Sequence, residues 1–151
     1  MNSAKSFSDT ALIVFSRPGG EHIDLPKDLT GMDETAYKQN SSDYEDFPAG
    51  HHYLELSRSE RDLVELVCSN FDNVVVIYNG ANTLQMDFVD DYNQIKSVVW
   101  CHGTGNVGFN SLGRILKGTV NPSGRAADTF VKDFTQAPYW NNFGYNVFDN
   151  M

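Results

Sequence analysis

Three short apolar runs, each rich in valine or isoleucine, constrain the fold of this chain more than any other feature of its sequence. They span Thr10 to Ser16, Asn73 to Tyr78 and Ile95 to Cys101. The second run is continuous rather than alternating, which is typical of a parallel strand covered on both faces. The runs therefore predict three strands of a mainly parallel sheet.

Helical patterns lie between these runs and after the third. Ser57 and Glu60 form an S-x-x-E capping box, and apolar residues follow it at spacings of three and four: Leu63, Leu66, Val67 and Phe71. A second helix is predicted from about Asn106 to Lys117, with Gly118 as its left-handed stop, and a short helix within Ala81 to Asp91. Strands that alternate with helices predict an α/β domain.

Composition excludes several classes of protein. With 151 residues the chain suits one domain, and its net charge of −9 argues against nucleic acid or an anionic membrane as a partner. No apolar run approaches the ~20 residues that span a bilayer. Cys68 and Cys101 lack the spacing of a zinc or redox site, so two free thiols in a reducing compartment are expected. The expected location is the bacterial cytoplasm.

The segment from Gly19 to Gly50 carries most of that negative charge. It holds eight carboxylates against two lysines, a balance of −6. So long a connection in a compact domain is usually functional or disordered. In open α/β sheets the ligand crevice lies outside the carboxyl ends of the strands, so Glu21 and His22, which follow the first run, are well placed for chemistry.

Two further patterns have weaker functional interpretations. Gly103, Gly105 and Gly108 form a G-x-G-x-x-G after the third run, so a Rossmann-like dinucleotide-binding module is the alternative hypothesis. The fingerprint belongs after the first strand, however, and close packing of a helix on the sheet explains the glycines better. His51 and His52 could form a metal site with His22 and the carboxylates of residues 19–50, but they lack a strict third-ligand spacing, so no metal is expected. No cofactor is expected either.

Several longer stretches of the sequence resemble one protein family. They are the strand ending Ser16-Arg17 before Gly20-Glu21, Tyr53 to Ser57, Asn79 to Asn82, Val99 to Gly105, and above all Gly113 to Arg125 followed by Thr129-Phe130. Together they resemble the α/β-sandwich domain of glycoside hydrolase family 3, the β-glucosidase family. The resemblance implies a three-layer α/β/α sandwich over residues 1–137, with a mainly parallel sheet of about five to six strands. Residues 138–151 are then an aromatic tail or linker toward a missing domain.

The same resemblance implies a divided active site. Family members are retaining enzymes in which a (β/α)₈ barrel supplies an aspartate nucleophile and this domain supplies a glutamate acid/base. Glu21 matches the acid/base position, while Arg17 and His22 would contact sugar hydroxyls or orient Glu21. Asp24, Asp43 and Glu45 are alternatives to Glu21. The implied substrate is a β-glucoside or oligosaccharide that binds between this domain and a barrel absent from this chain. Without that barrel, this chain would be inactive.

Overall fold

A computed structural model of the protein describes residues 1–17, 46–48 and 50–140. The strands are Thr10–Ser16 (β1), Asn73–Asn79 (β2) and Ile95–Trp100 (β3), and the helices are Asn2–Phe7 (α1), Arg58–Cys68 (α2) and Phe109–Leu116 (α3). Short 3₁₀ turns lie at Asp87–Val89 and Phe134–Gln136. The three apolar runs of the sequence thus become the three strands, within one residue at each end.

The three strands form one parallel sheet in the order β1-β2-β3. Ile13 of β1 lies opposite Val76, and Val76 lies opposite Val98 of β3. Helices flank this sheet, so the predicted α/β class with a parallel sheet is confirmed. The expected five to six strands are wrong for the described part of the chain, which has three. A covered parallel strand needs a continuous apolar run, and the sequence offers three such runs; the larger number came from the family resemblance.

The main core lies between one face of the sheet and α2. Alternate residues of the strands point to the same face, so Ile13 and Phe15 of β1 line up with Val74, Val76 and Tyr78 of β2, and all five are buried. Val64, Val67 and Cys68 of α2 pack against them, together with Leu84 and Phe88. Of the short helix predicted within Ala81 to Asp91, only the turn Asp87–Val89 is helical, and Leu84 and Phe88 of this stretch are buried in the core.

Helix α2 is rotated relative to the face that the sequence predicted. Its buried residues are Val64, Val67 and Cys68, whereas Leu63 and Leu66 are 40% and 51% exposed. Arg61 is half-buried, and its guanidinium group pairs with Glu55. Val64, Val67, Cys68 and Phe71 form a second apolar stripe at the same spacings of three and four, and this stripe faces the core, so the prediction for Leu63 and Leu66 is wrong.

Helix α3 begins later than predicted and ends as predicted. It starts at Phe109, and Gly118 follows it with φ +72°, the left-handed conformation expected of the stop. Helix α1 was not predicted, because it buries no residue and has no apolar face: Phe7 is 92% exposed.

Both cysteines are free, and Cys68 belongs to the main core. Within residues 1–17 and 50–140, no helix has the length and apolarity that crossing a bilayer requires.

Candidate active site at the carboxyl edge of the sheet

The carboxyl ends of the three strands form the edge at which the sequence predicts the active site. After β1, the backbone N–H of Arg17 donates to the Asn79 carbonyl (3.1 Å), and after β3 the N–H of Cys101 donates to the Tyr78 carbonyl (2.8 Å). These bonds hold the exits of neighbouring strands together. The predicted acid/base, its neighbour and its alternatives lie outside the described residues: Glu21, His22, Asp24, Asp43 and Glu45.

Arg17 is buried at this edge and makes several contacts at once. Its two terminal nitrogens donate to the two carboxylate oxygens of Glu60, and Nη2 also donates to the Glu55 carbonyl (3.0 Å). Its guanidinium carbon lies 5.2 Å from the ring centre of Tyr53 and 5.8 Å from that of Phe47, both cation–π distances. Nε is buried and finds no acceptor among the described residues. These contacts hold the Arg17 side chain in one position.

Glu60 serves two partners with one carboxylate. The Ser57 hydroxyl accepts from the Glu60 N–H (3.2 Å), and Glu60 Oε2 accepts from the Ser57 N–H (2.8 Å), which completes the capping box predicted for α2. The same carboxylate forms the ion pair with Arg17, and the two side chains are only 16% and 7% exposed. Removing one member of a buried pair leaves an uncompensated charge and costs about 3–5 kcal/mol.

Asp46 and Phe47 lie beside the Arg17–Glu60 pair, at the start of α2. The Asp46 carbonyl accepts from the N–H of Arg58 (2.9 Å), and its carboxylate accepts from the N–H of Ser59 (3.1 Å) and from the Ser59 hydroxyl. A carboxylate is stabilised at a helix N-terminus by the unpaired N–H groups and the helix dipole. The Phe47 ring packs on Tyr53 at 5.0 Å between ring centres. Asp46 and Phe47 are thereby tied to the start of α2.

Glu55 is the centre of a second polar network beside Arg17. One carboxylate oxygen accepts from the N–H of His52 (2.9 Å) and lies 3.0 Å from His51 Nδ1, and the other accepts from Arg61 Nη2 (3.0 Å). Arg61 also donates to the Asp87 carboxylate at 3.4 Å. Since both oxygens of Glu55 are occupied, this buried acid is suited to holding the chain before α2 in place.

His52 lies buried in a small aromatic cluster. Its ring centre is 4.8 Å from that of Trp140 and 6.2 Å from that of Phe134. Burial lowers the pKa of His52, against the opposing effect of the Glu55 and Asp133 carboxylates, which favour the charged ring. Trp140, from the aromatic tail noted in the sequence, therefore packs on this domain; the tail beyond it lies outside the described residues.

The metal hypothesis for the adjacent histidines gains no support from the geometry. Across the described ranges, no three side chains of histidine, cysteine, aspartate or glutamate are grouped so that they could hold a metal ion. His22, the third ligand considered, lies outside those ranges.

Tyr78 and Gly80 form a tight contact at the end of β2. A Cβ atom on Gly80 would lie 2.4 Å from the Tyr78 hydroxyl oxygen, so this position accepts no side chain unless the buried ring moves. Burial raises the pKa of Tyr78 to about 12, and its hydroxyl finds no hydrogen-bond partner among the described residues. Trp100 Nε1 donates to the Gly80 carbonyl (2.8 Å) and fixes the turn from the other side.

The G-x-G-x-x-G pattern is a turn between β3 and α3. Gly103 and Gly105 have φ of +53° and +57°, and a Cβ on Gly108 would lie 2.2 Å from the Thr104 carbonyl oxygen. Backbone geometry thus requires glycine at all three positions. A dinucleotide site would need a further strand after the helix, and residues 117–140 contain none.

Sequence reasoning placed Arg17 at this edge but missed its partner. It assigned Glu60 to the capping box alone, and nothing in the spacing of Arg17 and Glu60 signals an ion pair across 43 positions. Phe47 and Tyr53 were missed for the same reason. An arginine directly after a buried strand was the available signal, because a buried guanidinium group needs a carboxylate partner.

Comparisons with known proteins agree on one family. The sequence model of the Glycosyl hydrolase family 3 C-terminal domain matches residues 2–150. Beta-glucosidase A of Butyrivibrio fibrisolvens is 31% identical over 144 residues, and the beta-glucosidase of Ruminococcus albus is 29% identical over 140; each match covers 93% of this chain. The chain spans only 17% and 12% of the length of these two relatives. No solved structure matches the chain significantly.

Proposed function

The chain belongs to the C-terminal-domain family of the family 3 glycosyl hydrolases, and from that membership we propose that it supplies the general acid/base of a retaining β-glucosidase. The observation that carries the proposal is the family match over residues 2–150, together with the Gly20-Glu21 pair that follows β1 by three residues. Glu21 is the proposed acid/base. The nucleophile would come from a barrel domain outside this chain.

The chemistry requires two carboxyl groups about 5–5.5 Å apart, one on each side of the divided site. In the first step the barrel aspartate attacks the anomeric carbon, while Glu21 donates its proton to the departing glycosidic oxygen. In the second step Glu21 takes a proton from the water that hydrolyses the glycosyl-enzyme ester. The first step needs a protonated carboxyl group, and the acids clustered in the segment 19–50 favour that form by mutual repulsion.

Arg17 and His22 are the proposed supporting residues. Both terminal nitrogens of Arg17 are taken by Glu60 and the Glu55 carbonyl, so its contacts favour orientation of the segment that begins at residue 18 over direct contact with sugar hydroxyls. His22 is proposed to contact the sugar or orient Glu21. A β-glucoside or oligosaccharide is the proposed substrate. The two free cysteines support the proposed bacterial cytoplasmic location.

Replacement of Glu21 in the full-length enzyme tests the assignment. Glu21→Gln and Glu21→Ala should lower turnover of an alkyl β-glucoside by roughly 10²–10⁴-fold, the usual contribution of general acid/base catalysis. Azide should partly restore turnover in Glu21→Ala, because it attacks the glycosyl intermediate without needing a base. The matched variants are Asp24→Asn, Asp43→Asn and Glu45→Gln. Near-normal turnover in both Glu21 variants, with loss and azide rescue at one of the others, would reassign the acid/base.

A further inference from the structure

The segment 18–45, which contains Glu21, is flanked on both sides by residues fixed to the first turn of α2. On its N-terminal side, Arg17 is held by the carboxylate of Glu60. Glu60 is the third residue of that helix, and its own position is set by the capping box with Ser57. The Glu60 carboxylate therefore holds the side chain of the last described residue before the segment, in addition to the sheet hydrogen bond from the Arg17 N–H to the Asn79 carbonyl.

The C-terminal side of the segment is fixed by different atoms of the same turn. Asp46 accepts hydrogen bonds from the backbone N–H groups of Arg58 and Ser59 and from the Ser59 hydroxyl. The two flanks also meet directly, since the guanidinium group of Arg17 lies 5.8 Å from the centre of the Phe47 ring. Tyr53, which faces both Arg17 and Phe47, closes the cluster.

We propose that Glu60 is a positioning residue for the reaction: by pairing with Arg17 it sets where the acid/base segment leaves the sheet, and so where Glu21 acts. The inference rests on the proposed function of Glu21. Proton transfer requires a donor within hydrogen-bond reach of the leaving oxygen. A displacement of about 1 Å can cost on the order of 10²-fold in rate even when the catalytic group is intact. Arg17 lies four residues before Glu21, close enough to pass on such a displacement.

Glu60→Gln in the full-length enzyme separates positioning from helix capping. Glutamine keeps the size of the side chain and an oxygen that can accept from the Ser57 N–H, so the capping box survives. It removes the charge and one of the two oxygens that bind the guanidinium group. Arg17→Lys makes the complementary change, because lysine keeps the charge but not the planar fork.

The readout is the dependence of kcat/KM on the leaving group, since kcat/KM reports the step in which the glycosidic bond breaks. Methyl β-glucoside needs its leaving oxygen protonated, whereas 2,4-dinitrophenyl β-glucoside does not. Glu60→Gln and Arg17→Lys should each lower kcat/KM for the methyl glucoside tenfold or more, and that for the dinitrophenyl glucoside less than threefold. The double variant should be no worse than either single one, because both changes break the same pair.

Two controls lie on or beside the same helix. Glu65→Gln alters an exposed glutamate of α2 and should leave both substrates unaffected. Ser57→Ala removes the hydroxyl that accepts from the Glu60 N–H but keeps the backbone N–H that binds the Glu60 carboxylate, so it should lower the melting temperature without changing the ratio of the two kcat/KM values. The positioning role would be overturned if Glu60→Gln left both kcat/KM values unchanged. It would also be overturned if the variant lowered kcat/KM equally for the methyl and the dinitrophenyl glucoside. If Glu21→Gln itself showed no leaving-group dependence, the proposed function would fail, whatever the result at Glu60.

Discussion

Gly80 tolerates little change, because the Tyr78 hydroxyl group occupies the space of a side chain. Gly80→Ala forces the buried ring to move, since its Cβ would lie 2.4 Å from that oxygen. The variant should lose about 1–3 kcal/mol of unfolding free energy, the usual cost of overpacking a core. Urea denaturation of the 151-residue chain measures this loss of unfolding free energy.

Tyr78→Phe is the matched variant for this contact. It removes a buried hydroxyl that has no partner among the described residues, so stability should stay the same or rise. A loss of more than about 1 kcal/mol in Tyr78→Phe would mean that the hydroxyl is hydrogen-bonded, because that is the net worth of a typical buried hydrogen bond.

At the scale of single residues, the sequence predicted local positions better than contacts between distant residues. It placed Arg17 at the carboxyl edge of β1 and Glu60 in a capping box, and both positions are correct. It could not pair them, because an ion pair between distant positions depends on how α2 packs on the sheet. Glu21 and His22 lie outside the described residues, so their roles stay predictions.

Two glycines with opposite requirements lie within helix α3 and just after it. Gly113 lies inside the helix, exposed and with open space where a Cβ would be, whereas Gly118 follows the last turn with φ +72°. Gly113→Ala should raise the unfolding free energy by about 0.5–1 kcal/mol, because alanine loses less backbone entropy in a helix. Gly118→Ala should lower it by about 1 kcal/mol, because a left-handed backbone strains any side chain with a Cβ.

Chemical denaturation of the two single variants measures both effects, and each variant is the control for the other. Stabilisation by Gly118→Ala, or destabilisation by Gly113→Ala, would contradict the end of α3 as described.

At the scale of elements, local signals gave correct strands and caps but not the rotation of a helix. The runs of β-branched residues matched all three strands, and the capping box fixed the start of α2. The exposure of Leu63 and Leu66 was not predictable from periodicity. Arg61 turns toward Glu55 and Asp87, which are brought beside α2 only by the folded chain. Two apolar stripes share the same spacing on α2, and only packing on the sheet selects the one through Val64, Val67 and Cys68.

For the whole molecule, the proposed function predicts that the 151-residue chain hydrolyses no β-glucoside by itself. A retaining mechanism needs a nucleophile opposite the acid/base, and the proposal assigns that nucleophile to a barrel outside this chain. Release of nitrophenol from p-nitrophenyl β-glucoside measures the activity of the isolated chain, with circular dichroism to show that it is folded. Turnover within tenfold of the full-length enzyme would contradict the divided site.

The sequence alone determined the class of the fold and the family. Continuous apolar runs and a capping box are local signals, and each indicates its element without reference to the rest of the chain. Only the tertiary structure decided the order and register of the strands and that Glu60 holds Arg17 at the carboxyl edge. It also brought the two flanks of the acidic segment to one helix turn. These features join residues distant in the sequence, and packing selects them only after the elements meet.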